Sequence, residues 1–232
     1  MHSVIGPWNE AQAVYVAQSR LAERLVAPDP SPLVLFDIGL GIAANSLAVL
    51  ERFRAVSGAE AMAGGISGVK ASVRDLHLIS FETDLSGIAE AMKHPQHFPF
   101  LSRSEGVIQT LLRERRYSEQ NSEATCLWEL KEGDFRKFLL ELPSPELIYY
   151  DLYSPRTCPD LWTHETFALL FRSTHERRAL GLSSLLVTYC AASSVRAAMK
   201  TAGFAVTIGA PTMKKRETTL AWAGECHRPL SS

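Results

Sequence analysis

The stretch Leu33-Val34-Leu35-Phe36-Asp37-Ile38-Gly39-Leu40-Gly41-Ile42-Ala43-Ala44-Asn45-Ser46-Leu47 constrains this chain more than any other. A short apolar run ends in an acid, two glycines come next, one residue apart, and a helix-forming segment begins. The pattern predicts a buried strand, a tight turn and a helix whose first turn faces a ligand. Glycine lets the backbone turn sharply and lets a ligand come close to it. The unpaired N–H groups of the new helix point towards that ligand. A Gly-x-Gly after an apolar run is also a plain strand-to-helix turn, so its meaning depends on the segments downstream of it.

Strands and helices alternate after it. Leu76–Glu82 reads as a second strand ending in an acid, Thr125–Leu130 as a third, Leu147–Tyr150 as a fourth and Ser184–Tyr189 as a fifth. Helical segments are expected over 44–53, 85–92, 106–116, 163–172 and 193–201, with Gly203 closing the last. A short helix is expected over 135–140. Trp8 to Leu25 reads as one amphipathic helix with Val14, Leu21 and Leu25 inward, broken by Ala27-Pro28-Asp29-Pro30-Ser31-Pro32. Residues 57–68 are rich in Gly, Ala and Ser and read as a loop. Phe204–Ile208 and Thr218–Trp222 have no helix between them and should pair as an antiparallel hairpin. Alternating strands and helices give an α/β fold, a mostly parallel sheet covered on both faces. With the hairpin at its end, the layout is that of the class I (Rossmann-like) S-adenosylmethionine-dependent methyltransferases. The 232 residues suit a single domain, with 1–30 as an N-terminal helical extension.

Composition narrows the function classes. Hydrophobic residues make up 46% of the chain, enough for a full core. No apolar run reaches the roughly 18 residues of a membrane span, and the N-terminus lacks a secretion-signal pattern. A cytoplasmic protein without a membrane partner is expected. Cys126, Cys158, Cys190 and Cys226 are widely spaced, which argues against a disulfide framework and a zinc site. His94 and His97 sit three apart with no ligand cluster around them, so no metal is expected. A net charge of −1 offers no broad nucleic-acid surface, although a local basic patch is compatible with it. A homo-oligomer is left open.

In open α/β sheets ligands bind at the carboxyl ends of the strands. Asp37, Glu82, Asp134 and Asp151 lie at or just beyond four such ends. Glu82 can accept both hydroxyls of a ribose, although it lies 43 residues after Gly39 rather than the customary twenty or so. Asp134 can accept an adenine amino group. Asp37 lies where the ammonium of a methionine moiety would be met. Asp151, flanked by an apolar strand and an aromatic-proline stretch, is the candidate to orient an amine or take its proton. Acids at strand ends also cap helices or face water, and Asp151 can equally be a structural acid of the loop after it.

Further residues carry a family resemblance. Phe36 to Asn45 resembles the acid-x-Gly-Phe-Gly-Thr-Gly-Leu-Asn motif of the MnmC methyltransferase domain, found in bacterial tRNA-modifying enzymes. Tyr150-Asp151-Leu152-Tyr153-Ser154-Pro155, then Cys158-Pro159-Asp160-Leu161-Trp162-Thr163, is similar to that family's Asp-Gly-Phe-Ala-Pro…Asn-Pro-Asp-Met-Trp-Thr segment. Leu76–Glu82, Tyr189 to Phe204, Lys215-Arg216-Glu217 and the segment around Tyr15 also resemble it. The resemblance implies methyl transfer from S-adenosylmethionine to the aminomethyl group of a wobble uridine in tRNA. It implies a cofactor site built from Asp37, Gly39, Leu40, Gly41, Asn45, Glu82, Asp134 and Asp151. On the acceptor side it implies Tyr153, Pro155 and Trp162, the aromatics stacking on a base or walling off water, with Lys214, Lys215 and Arg216 meeting phosphates. As core aromatics and a solvated loop these residues would do neither. Ala43 stands in place of the family's third glycine, and Leu152 in place of the glycine after the acid, where it should narrow the pocket. The competing expectations are a methyltransferase for a small amine or a protein, and a non-catalytic partner protein with the same fold.

Overall fold

The computed structural model describes residues 6–59, 72–121, 123–211 and 217–224. An eight-stranded sheet of order β3-β4-β2-β1-β5-β6-β8-β7 runs through its centre. The strands are β1 (Leu33–Ile38), β2 (Leu76–Glu82), β3 (Arg116–Gln120), β4 (Thr125–Glu132), β5 (Leu147–Tyr150), β6 (Ser184–Thr188), β7 (Ala205–Gly209) and β8 (Thr218–Ala223). β4, β2, β1, β5 and β6 are parallel. β8 pairs antiparallel with β6, and β7 antiparallel with β8, so the C-terminal hairpin closes one edge as expected. The other edge is β3, antiparallel to β4. Arg116-Tyr117-Ser118-Glu119-Gln120 carries no apolar alternation, and the sequence reading has no strand there.

Side-chain alternation sorts the core onto two faces. Leu33 and Leu35 of β1, Leu76 and Leu78 of β2, Trp128 of β4, Leu147 and Tyr149 of β5 and Val187 of β6 face one layer. Phe36 and Ile38, Ile79 and Phe81, Ile148 and Tyr150, and Leu186 face the other. The first layer is covered by α1 (Pro7–Glu10), a π-helical turn (Ala11–Val16), α2 (Leu21–Leu25) and α3 (Ala44–Ala59). It also holds apolar residues of α4 (Ser86–Ala91), α5 (Pro99–Arg103) and α6 (Glu105–Glu114). α7 (His164–Ser173) and α9 (Ser193–Thr201) cover the second, with α8 (His175–Ala179) coming directly after α7. Asp37 alternates with Phe36, so it lies on the α3 side.

The single helix expected from Trp8 to Leu25 is interrupted. Arg20 has φ 53°, a left-handed conformation that an α-helix does not continue through. Its expected inward residues, Val14, Leu21 and Leu25, are nonetheless fully buried. α3 runs on to Ala59, past the start of the expected Gly/Ser-rich loop. The rest of that loop lies outside the described residues.

At the amino-terminal edge of the sheet, buried Glu146 gathers three arginines: Arg24 at 2.9 Å, Arg74 at 3.0 Å and Arg177 at 3.3 Å. The cluster ties α2, the entry to β2, the entry to β5 and α8 together.

Candidate active site

β1 pairs with β2 on one side and with β5 on the other, so the strand order reverses at β1, and in open α/β sheets ligands bind at the carboxyl ends of the strands at such a switch point. Gly39 sits directly after β1 with φ 96°, and a Cβ there would stand 2.7 Å from the Asp151 carbonyl oxygen and 3.2 Å from Leu152 Cδ2. Any side chain at Gly39 would push the ends of β1 and β5 apart. Gly41 differs: its φ is 54°, and a Cβ there would meet no heavy atom within 4 Å. Gly41 is exposed, and open space lies above it.

The turn is anchored to β2. The N–H groups of Gly39 and Leu40 both donate to the Phe81 carbonyl at 3.1 Å. The Gly41 N–H donates to Glu82 Oε2 at 3.0 Å, while Glu82 Oε1 accepts from Thr83 N–H at 2.8 Å and Asp84 N–H at 3.2 Å. The glycine turn and the acid of the second strand therefore meet directly. Among the described residues Glu82 Oε2 takes a single N–H and keeps a lone pair beside the open face of Gly41. That free acceptor next to an unobstructed glycine fits a nucleoside hydroxyl.

Asp134 is brought close as well, since Gly133 N–H donates to the Glu82 carbonyl at 2.7 Å. Its carboxylate is committed locally. It caps a 3-10 turn by accepting from Arg136 N–H at 3.0 Å and grips the Arg136 guanidinium with both oxygens, at 2.7 to 3.1 Å. Arg136 holds this carboxyl below the usual carboxylate range. An adenine amino group would share these oxygens with Arg136, a partner that the sequence reading did not foresee.

Asp37 is wholly buried. Its Oδ2 accepts from Ser46 and, at 3.2 Å, from Ser80, whose hydroxyl also receives the Trp128 indole N–H at 2.9 Å. Its Oδ1 has no partner among the described residues. Burial pushes this carboxyl up to about 7, against the pull of the two serines. The acid expected under the methionine end is thus a covered group beneath the turn, with Oδ1 unpartnered among the described residues.

Asp151 comes directly after β5, and its N–H continues the ladder to the Ile38 carbonyl at 3.0 Å. Asn45, in the first turn of α3, donates from Nδ2 to Asp151 Oδ2 at 2.8 Å. Two tyrosines stand by it. Tyr15 is buried and its hydroxyl donates to the Tyr150 carbonyl at 3.5 Å; burial first, and then the nearby Asp151 carboxylate, hold its phenol well above its usual range. Tyr189 donates to the Leu152 carbonyl at 2.8 Å, and burial and then Asp151 raise its phenol likewise. Tyr15, Tyr189, Ser46 and Ser80 were not among the expected site residues. The available signal was polar residues at core-facing positions: Ser80 shares the parity of Leu76 and Leu78, and Ser46 lies in the apolar start of α3.

The loop after Asp151 separates the acceptor-side expectations. Tyr153 is 77% exposed, and Pro155 is half-buried. Trp162 is a correction: it is buried, edge-on to Tyr150, and its indole N–H donates to the Tyr153 carbonyl at 2.9 Å. It pins the loop from beneath rather than offering a face to a base. Leu152 packs towards Gly39, as its bulk requires. Lys214, Lys215 and Arg216 lie outside the described residues. His94 and His97 stack at 5.7 Å, and no group of His, Cys, Asp or Glu among the described residues is placed to hold a metal ion.

Sheet order, glycine turn and acids at the carboxyl edge define a nucleoside-binding α/β protein of methyltransferase architecture. The chain belongs to a family of S-adenosyl-L-methionine-dependent methyltransferases, whose profile matches residues 104–224, more than half of its length. That segment holds Asp134, Asp151 and Trp162, and the Gly39 turn and Glu82 precede it. The structure is similar to MnmC2 from Aquifex aeolicus, with a TM-score of 0.63 and 21% identity over 94% of this chain and 61% of that one. It is also similar to a spermidine synthase in complex with the transition-state analogue AdoDATO, with a TM-score of 0.51 and 15% identity over 93% of this chain and 62% of that one. The chain thus spans less than two thirds of either structure, and at these identities the likeness is one of fold. A comparison with curated proteins gives no match. The cofactor of this family is S-adenosyl-L-methionine.

Proposed function

We propose that this protein transfers a methyl group to an amine, and that the amine is the aminomethyl group of a modified wobble uridine in tRNA. The observation that carries the reading is Asp151, fixed by Asn45 at 2.8 Å and set against Gly39 at the carboxyl ends of the paired strands β1 and β5. Bound S-adenosylmethionine supplies a methyl group already activated by a sulfonium. The protein's task is then to hold the nucleophile in line and keep its lone pair free. An amine is mostly protonated at neutral pH, and a carboxylate can attract it, orient it through an N–H hydrogen bond and take its proton. The amine nitrogen gains one methyl group and gives up one proton, for which Asp151 is the acceptor.

On the cofactor side, Gly39, Leu40, Gly41 and Glu82 serve the nucleoside, Asp134 stands at the adenine end, and Asp37 stiffens the turn from below. On the acceptor side, Tyr153 is an exposed ring on a loop held by Trp162, suited to stacking on a splayed base. Pro155 lines the same rim, and Lys214, Lys215 and Arg216 are assigned to phosphates. The test is a transfer assay with labelled S-adenosylmethionine on tRNA from a strain lacking this protein, with nucleoside mass analysis of the product. Label in a methylaminomethyl-uridine nucleoside is the expected result. Label in free amines or protein, with none in tRNA, would move the acceptor to those classes.

A further inference from the structure

We infer that Arg136 reads the adenine ring of the cofactor jointly with Asp134, the carboxylate accepting from the amino group while the guanidinium donates to the ring nitrogen beside it. The inference rests on the reading that seats the nucleoside at Glu82. The backbone ties Asp134 to that place, since Gly133 N–H donates to the Glu82 carbonyl at 2.7 Å. Arg136 is fixed two residues on, in the 3-10 turn Phe135–Lys137, which Phe135 anchors in the core. The side chains of Arg136 and Asp134 stay 32% and 28% exposed, so a ligand can reach the pair.

The pairing leaves both groups unfinished. A carboxylate has about four acceptor sites and a guanidinium five N–H groups. Among the described residues Asp134 receives three protons, all from Arg136: the backbone N–H at 3.0 Å on Oδ1, the Nε–H shared between Oδ1 at 3.0 Å and Oδ2 at 3.1 Å, and an Nη2–H at 2.7 Å on Oδ2. Such a fork sets the two planar groups edge to edge. An acceptor site on Oδ2 therefore stands next to the second N–H of Nη2, the two atoms 2.7 Å apart. Adenine offers the converse pattern, an amino donor flanked by the acceptors N1 and N7. Asn and Gln read adenine with the same neighbouring acceptor and donor, supplied by one amide. A purine with a carbonyl in place of the amino group would set an acceptor against the carboxylate. If Arg136 and Asp134 only cap the turn, removing the guanidinium frees Asp134 for the amino group, and affinity holds or rises.

The test is calorimetry with S-adenosylhomocysteine, which binds without reacting, and with its 1-deaza and 7-deaza analogues, each lacking one ring nitrogen beside the amino group. On the native protein one of the two analogues should bind roughly tenfold more weakly than the parent, the loss of a hydrogen bond from a charged donor. Arg136→Met keeps the aliphatic stem and removes the donors. It should weaken the parent roughly tenfold and erase the difference between the parent and that analogue. Arg136→Lys keeps the charge without the planar fork, should behave in the same way, and covers the case in which methionine prevents folding. Parent affinity that is equal or tighter in the variants overturns the inference. So does an analogue-to-parent ratio that is the same in native and variant proteins, even if the variants bind weakly. Full parent affinity in Glu82→Ala would instead unseat the ribose from Glu82, and the analogue ratios still decide the role of Arg136.

Discussion

Gly39 and Gly41 stand one residue apart and answer to different constraints. Gly39 is demanded by the fold, because Asp151 occupies the space where its Cβ would be. Gly41 is demanded by its φ alone, with free space above it. Gly39→Ala should therefore cost about 2 kcal/mol or more of stability, from left-handed strain and a backbone collision, read as a lower urea midpoint. Gly41→Ala should cost only about 1 kcal/mol of stability and show its effect in weaker cofactor binding by calorimetry. Ala43, at φ 63° and fully buried, shows why alanine is tolerated where the resembling family has glycine. Left-handed strain of about 1–2 kcal/mol is offset by a buried methyl of about 0.8 kcal/mol and a less flexible unfolded chain. Asp37 makes the sharpest residue-scale prediction. Its carboxyl is raised to about 7 in the fold, against about 3.9 in an unfolded chain. Between those values the native state binds the extra proton, so stability falls as pH rises from about 4 through about 7. The lowered carboxyls of Asp29, Glu146 and Asp134 act with the opposite sign, and below about pH 4. In thermal unfolding without cofactor, Asp37→Asn should flatten the pH 5 to 7 slope. A slope unchanged by the substitution would mean that another group carries it.

At the scale of elements, legibility tracked burial. Leu76–Glu82 and Leu147–Tyr150 have the bounds read from the sequence, because both faces of a central parallel strand are buried and the apolar run is unbroken. β3 escaped because an edge strand needs only backbone pairing, and Arg116 to Gln120 alternate between exposed and half-buried positions. The break at Arg20 escaped because a left-handed arginine leaves no mark in an apolar pattern that is buried on both sides of it. The four acids at the carboxyl edge were legible as a set, since strand ends place them. Their partners were not: Arg136 on Asp134 and the serines on Asp37 come from elements whose packing the sequence does not declare. Glu146 was missed for the same reason. It is a charged residue just before an apolar strand, and only the fold brings Arg24, Arg74 and Arg177 to it. Removing one partner of a buried ionic cluster leaves the others uncompensated, which costs about 3–5 kcal/mol. Glu146→Gln should lose that much in urea unfolding, because Arg24 and Arg177 would then face a neutral amide and Arg74 would keep only the Asp29 carboxylate at 3.3 Å. A loss below about 1 kcal/mol would show that water already screens the arginines.

Across the whole molecule, the two edges of the sheet do different work. The amino-terminal edge carries the Glu146 cluster, which locks four elements. The carboxyl edge carries Glu82 Oε2, which accepts a single N–H among the described residues, and open space above Gly41. A ligand completes the unfinished edge, so cofactor binding should appear as global stability. At a hundredfold excess over Kd a ligand specific for the native state adds about 2.7 kcal/mol. For a domain of this length each kcal/mol moves Tm by about 2–4 °C, giving a rise of about 5–10 °C with S-adenosylmethionine. Glu82→Ala tests where the cofactor sits. The substitution frees the N–H groups of Gly41, Thr83 and Asp84, so the cofactor-free Tm should itself fall. The informative quantity is the shift on adding cofactor, compared within each protein. Loss of a hydrogen bond to a charged carboxylate, about 1.5–3 kcal/mol, weakens binding roughly ten- to a hundredfold. At the same cofactor concentration the shift should then shrink to about half or less. A full shift in Glu82→Ala would place the nucleoside away from this carboxylate, and the glycine turn and the second-strand acid would meet for structural reasons alone.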